Sequence, residues 1–176
     1  SGSSARPFKL RTGGHHNVMN ATMAYQAALA LGVSEKDATD ALADFKGTAR
    51  RMELVGEYNG ALVFDDYAHH PGEIKATLAA LKQNYPKKRI IAVFQPHTYS
   101  RTKALFADFA GAFTDADAVI LTDIYASARE QKDESIDMAE MVLAISYKGK
   151  DAVLIKNKEN IASYVKRTID ANTLVV

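Results

Sequence analysis

Five histidines fall in three short stretches of this 176-residue chain. They read His15-His16-Asn17, Asp65-Asp66-Tyr67-Ala68-His69-His70-Pro71 and Gln95-Pro96-His97-Thr98-Tyr99-Ser100-Arg101-Thr102. Random placement would scatter them. Asp65 and Asp66 with His69 and His70 put carboxylates and imidazoles in one loop. That set suits general base catalysis, a grip on ribose hydroxyls or a metal site, and equally plain capping of the helix after Pro71. A metal needs at least three ligands in fixed geometry, and no spacing here matches a known metal signature. His97 and Arg101 stand a helical turn apart at a helix entrance, a receptor for a small carboxylate; the plainer alternative is a surface loop whose Ser100 caps the next helix. Asn17 and Asn20 can offer carboxamides to an adenine edge, or Asn17 can cap its own helix. Arg50-Arg51 can grip phosphate with paired donors, or be an exposed basic pair with no role.

The elements that position these residues follow from periodicity. Residues 16–31 carry Val18, Ala21, Tyr25, Ala28 and Leu29 at a helical period, with Gly32 as the C-terminal cap. Ser34 caps a second helix, with Ala38, Ala41, Leu42 and Phe45 on its buried face. Asn59-Gly60 between residues 53–58 and 61–66 is a strong hairpin signal, because both turn positions must tolerate positive φ. Helices over 71–84, 102–114, 136–146 and 159–171 then alternate with strands over 89–95, 118–125, 151–156 and from 173 onward. This alternation implies a mostly parallel sheet with helices on both faces and one antiparallel hairpin. The second and third histidine stretches, and residues 123–130, leave the carboxyl ends of strands, where open α/β sheets bind ligands. Phe106, Phe109, Phe113 and Tyr25 read as core and not as a stacking platform.

Composition narrows the classes. With 47% hydrophobic and 24% charged residues, disorder is excluded as the main state. Lys plus Arg total 22 against 21 Asp plus Glu, a net charge of +1, so neither nucleic acid nor an anionic membrane is an expected partner. The absence of Cys removes disulfides, Cys-zinc sites and thiol nucleophiles. No run of about 18 apolar residues and no signal-peptide pattern occurs, which leads to an expected cytoplasmic location without membrane insertion. Residues 1–4 read as an expression scar and 5–176 as one domain cut from a longer protein.

In combination the motifs resemble the C-terminal domain of the Mur ligases, and within that family its alanine-adding branch. The residues carrying the resemblance are 16–21, Arg50-Arg51, 65–71 with Glu73-Ile74, 94–102 and 123–125, in family order over nearly the whole chain. The resemblance implies a Rossmann-like fold and ATP-dependent amide bond formation in peptidoglycan precursor synthesis. UDP-N-acetylmuramate would be activated as an acyl phosphate and attacked by L-alanine. It further implies that Asn17 and Asn20 contact adenine, Arg51 and Arg50 the phosphates, and Asp65 or Asp66 the ribose. Tyr67, His69, His70, His97 and Arg101 would hold the incoming amino acid. The chain contains no G-x-x-x-x-G-K-[S/T] phosphate loop. Magnesium would therefore be ligated mainly by a central domain outside this sequence, no catalytic residue is assigned here, and the piece alone is expected to be inactive. The rival readings are a peptide-recycling muropeptide ligase, a metal-dependent hydrolase built on the His and Asp loops, and a non-catalytic nucleotide sensor.

Overall fold

Residues 9–12, 14–47, 50–128 and 130–176 are described by the computed structural model. They divide into two units, the second beginning at Arg50. The first is a helical pair, α1 (His15–Ala30) and α2 (Glu35–Asp44). Gly32, at φ +85°, ends α1: its N–H donates to the Leu29 carbonyl and that of Val33 to the Ala28 carbonyl, both at 3.0 Å. The Ser34 hydroxyl accepts the Asp37 N–H at 3.1 Å and donates to the Asp37 carboxylate at 2.7 Å, which starts α2 as its sequence suggests. Ala21, Ala38 and Thr39 are buried, but Ala41 and Phe45, expected on the buried face, are exposed. Phe45 has extended backbone and lies past the last helical residue, so the helical period no longer governs it.

The second unit holds strands β1 (Glu53–Tyr58), β2 (Ala61–Asp65), β3 (Arg89–Phe94), β4 (Ala118–Leu121), β5 (Asp151–Leu154) and β6 (Thr173–Val175). Its helices are α3 (Pro71–Asn84), α4 (Tyr99–Ala104), α5 (Phe106–Ala110), α6 (Met138–Ser146) and α7 (Lys158–Thr168). The sheet order is β1-β2-β6-β3-β4-β5, antiparallel only between β1 and β2. Alternation along each strand divides the core. Ile90, Ala92, Phe94, Val119 and Leu121 face Ile74, Leu78 and Leu81 of α3, Phe109 of α5, and Met141 and Ile145 of α6. Ile91, Ala118 and Ile120 face Ile161, Tyr164 and Val165 of α7. Helices thus cover both faces, as the alternation implies. Each fully buried Leu, Ile or Phe here contributes about 1.5 to 3 kcal/mol relative to exposure.

Several boundaries depart from the sequence reading: α6 starts at Met138, β5 ends at Leu154 and α7 at Thr168, and two further departures lie near the cleft. The expected helix over 102–114 begins earlier, at Tyr99, and breaks at Leu105 into α4 and α5. Its cap is Thr98, whose hydroxyl accepts the Arg101 N–H at 3.3 Å, and not Ser100. The strand expected over 118–125 ends at Leu121. The Thr122 N–H still reaches the Phe94 carbonyl at 3.2 Å, but the next rung needs an N–H at Pro96, which has none. Among the described residues no helix is long and apolar enough to cross a membrane.

Candidate functional site

Across the carboxyl ends of β2 and β3 lies a cleft of about 580 Å³. Its rim carries Arg50, Asp65, Asp66, Tyr67, His69 and His97, while Ile74, Leu78, Phe94 and Phe113 form an apolar floor. Residues from three separate stretches are therefore united by the fold. The first is a strained turn. Arg50 and Met52 have φ of +58° and +49°, the left-handed region that costs a side-chain-bearing residue about 1 kcal/mol or more. Hydrogen bonds hold it. The Met52 N–H donates to Asp66 Oδ2 at 2.7 Å, the Arg50 N–H to Glu53 Oε2 at 2.8 Å, and the Tyr67 N–H to the Arg50 carbonyl at 2.8 Å. Asp66 Oδ1 also accepts the Ala68 N–H at 2.8 Å and the Thr77 hydroxyl at 3.2 Å. Asp66 is thus a brace, whereas Asp65 pairs with Arg50 Nε at 3.2 Å and is half-exposed. The Arg50 guanidinium lies 5.1 Å from the centroid of the Tyr67 ring, which fixes its heading in the cleft.

Glu73 organises the adjoining loop. Its Oε2 accepts the N–H groups of His69 at 3.0 Å and His70 at 3.2 Å, and lies 3.4 Å from the His69 ring. Arg51 approaches its other oxygen at 3.8 Å. Burial pushes the Glu73 carboxyl up, but the two N–H donors with the charges of His69 and Arg51 outweigh it and hold the group below the usual carboxylate range. The His69 Nδ1 lies 2.9 Å from the Tyr67 carbonyl, and the ring meets Tyr67 edge-on at 5.1 Å between centroids. His70 has a different position: its ring nitrogen accepts the Gly72 N–H at 3.3 Å as the N-cap of α3, and it does not line the cleft. The capping alternative describes His70, whereas His69 lines the cleft.

The third stretch is held by the loop after β4. His97 forms an isolated bridge with Tyr125, its ring stacked on the Tyr125 ring at 5.7 Å. The Tyr125 N–H donates to the Pro96 carbonyl at 2.8 Å and the Thr98 N–H to the Tyr125 carbonyl at 3.0 Å. Arg101 sits in the first turn of α4, and its Nη1 is buried without a hydrogen-bond partner among the described residues. A buried guanidinium nitrogen without a partner carries an uncompensated desolvation cost, and the described residues supply no acceptor for it. Arg51 and Arg101 are not among the cleft-lining residues. Asn17 and Asn20 belong to the first unit, in the opening turns of α1, where Asn17 lies inside the helix and Gly14 is the N-cap residue. Lys158, at the start of α7, and Tyr125 also line the cleft. Periodicity gave no reason to single out Lys158, since a lysine opening a helix is ordinary surface. Among the described residues no three His, Asp or Glu side chains are grouped to hold a metal ion.

A cleft with a polar rim over the carboxyl ends of a mostly parallel sheet occupies the place where open α/β domains take their ligands. Residues 50–176 match the family model described as Mur ligase, glutamate ligase domain, and the chain belongs to this family. It is 49% identical over 169 residues to the UDP-N-acetylmuramate–L-alanine ligase of Caldanaerobacter subterraneus subsp. tengcongensis, covering 96% of this chain and 36% of that protein. The corresponding ligase of Clostridium acetobutylicum is 45% identical over 169 residues, again 96% and 36%. Among solved structures, the UDP-N-acetylmuramate-alanine ligase of Thermotoga maritima superposes with a TM-score of 0.78 at 27% identity, over 96% of this chain and 35% of that one. A murein peptide ligase from Psychrobacter arcticus gives 0.69 at 28%, over 99% and 36%. The chain thus spans about a third of the length of the relatives it matches.

Proposed function

We propose that this chain is the C-terminal domain of a cytoplasmic, ADP-forming ligase that joins L-alanine to UDP-N-acetylmuramate. The observation that carries the reading is the union of Arg50, the 65–69 loop and His97 around one cleft. Arg50 and Arg51 take the phosphates, and the Asp65–Asp66 strand end the ribose. Tyr67, His69 and His97 form the wall for L-alanine, with His70 fixing the loop from its capping position. The unpaired Nη1 of Arg101 suits the alanine carboxylate, which leaves the amino group free to attack the acyl phosphate. ATP would supply the phosphoryl group, and among the described residues no three His, Asp or Glu side chains are grouped to hold its magnesium. Relatives named as alanine ligases at 49% and 45% identity favour L-alanine over a peptide as the nucleophile.

Phosphate release with ATP and UDP-N-acetylmuramate, measured in the full-length ligase with L-alanine or a muropeptide side chain as the acceptor, tests this. Turnover with L-alanine is expected. Turnover only with the peptide would move the chain to the recycling branch.

A further inference from the structure

We propose that Glu130, in the loop between β4 and α6, is a positioning residue that clasps the His97–Arg101 segment in its binding geometry. The inference rests on the reading of that segment as the amino-acid site. Its carboxylate accepts the Tyr99 N–H on Oε2 at 2.7 Å and the Ser100 N–H on Oε1 at 2.8 Å, across about 30 residues of chain. These are the first two amides of α4, donors that a helix start leaves without an internal partner. Glu130 does not line the cleft, and its hydrogen bonds act through the backbone between His97 and Arg101.

That backbone needs holding. Thr98 has φ +71°, an unfavourable conformation for a β-branched residue, and it sits between the two side chains proposed to face the substrate. On one side of it, the stacking of His97 on Tyr125 and the bonds through Pro96 and Thr98 fix the imidazole. On the other side, the Glu130 carboxylate is the tie to Tyr99 and Ser100, and Lys103 Nζ adds a bond to Asp133 at 2.9 Å and one to Ser135 at 2.8 Å. The loop over 123–135 therefore grips the segment from Pro96 to Lys103 along its length. Ser100 donors first, then Tyr99 and the charge of His97, also hold the Glu130 carboxyl below its usual range, so the clasp is ionised at neutral pH.

The test uses Glu130→Gln and Glu130→Ala in the full-length ligase, with Arg101→Ala alongside. Two readouts are taken: hydrogen exchange of the peptide containing Tyr99 and Ser100, and KM for L-alanine and ATP varied separately. Faster exchange there, with a rise of about 10- to 100-fold in the alanine KM and an unchanged ATP KM, is expected, because small displacements of positioning groups have effects of that order. Glu130→Gln keeps one acceptor and should fall between the wild type and Glu130→Ala. Unchanged exchange would overturn the clasp. Faster exchange without any change in the alanine KM would overturn the positioning role while leaving the amino-acid site intact, provided Arg101→Ala raises that KM. If Arg101→Ala also leaves it unchanged, the reading of the segment as the amino-acid site is what fails, and the inference with it.

Discussion

Asp66 joins three pieces of chain with one carboxylate: the turn at Met52, its own loop at Ala68, and α3 at Thr77. Asn in its place would present an amide N–H₂ to at least one of these donors, so Asp66→Asn should lower stability by about 1 to 3 kcal/mol in urea unfolding. Asp65→Asn removes a half-exposed ion pair and should cost no more than about 1 kcal/mol. Equal losses at the two positions would contradict the brace. Arg101 belongs to the same scale. A charge-assisted bond to a carboxylate is worth about 1.5 to 3 kcal/mol, so under the proposed function Arg101→Ala in the full-length ligase should weaken use of L-alanine by roughly 10- to 150-fold, with ATP hardly affected. Arg101→Lys should restore only part, since an ammonium lacks the planar fork. Steady-state kinetics with each substrate varied separately decide it; a defect confined to ATP would assign Arg101 to the nucleotide.

Elements impose their own constraints. In the β1–β2 hairpin Asn59 and Gly60 have φ of +51° and +81°, the geometry that lets a two-residue turn follow the strand twist. A Cβ on Gly60 would come within 2.7 Å of the Ala171 Cβ and 2.9 Å of its Cα. Strain and collision add, so Gly60→Ala should cost more than about 1 kcal/mol by the midpoint of denaturation, whereas Asn59→Gly should be nearly neutral. The loop after β4 carries a pH-dependent tie. Bonds from the Ser135 hydroxyl first, then from Lys103, lower the Asp133 carboxyl from 3.8 to about 2. A group depressed on folding stabilises fully above its unfolded value and loses that contribution as pH falls through the folded one. The excess stability of the wild type over Asp133→Asn should therefore hold at about pH 6 and shrink between about pH 4 and pH 2. Thermal melts of both proteins across this range check it; a gap that widened on acidification would contradict the tie.

At the scale of the molecule, the central strands carry the strongest burial: Ile90, Ile91, Val119, Ile120, Leu121 and Leu174 are at most 1% exposed, while every residue of β1 is exposed. Amides of β3, β4 and β6 should therefore exchange slowest, at the global unfolding rate, and those of β1 well before them. The unit from Arg50 should melt cooperatively, since a chain of this size buries about two-thirds of its unfolded surface. A broad transition would mean that its core needs support from elsewhere. The 176-residue chain by itself, given ATP, UDP-N-acetylmuramate and L-alanine, should release no phosphate, because it has no phosphate loop to position the γ-phosphoryl group.

Patterns of local origin could be read without coordinates. The hairpin at Asn59-Gly60, the Ser34 cap and the bounds of α3 depend on residues adjacent in sequence, and periodicity with turn chemistry specifies such features. The alternation of strands and helices likewise gave the parallel sheet with helices on both faces. Boundaries set by partners far along the chain were not legible. β4 stops at Leu121 because its neighbour across the sheet offers a proline, and α4 starts at Tyr99 because Thr98 and the distant Glu130 take up its free amides. The roles of Asp65 and Asp66, side by side in sequence, separate only when Met52 and Thr77 arrive at one of them. His69 and His70 diverge for a similar reason, since successive residues at a helix entrance point to different surroundings, one to the cleft and one to the cap. Residue types fix what chemistry is possible, and long-range packing decides which of two neighbouring groups is left available to perform it.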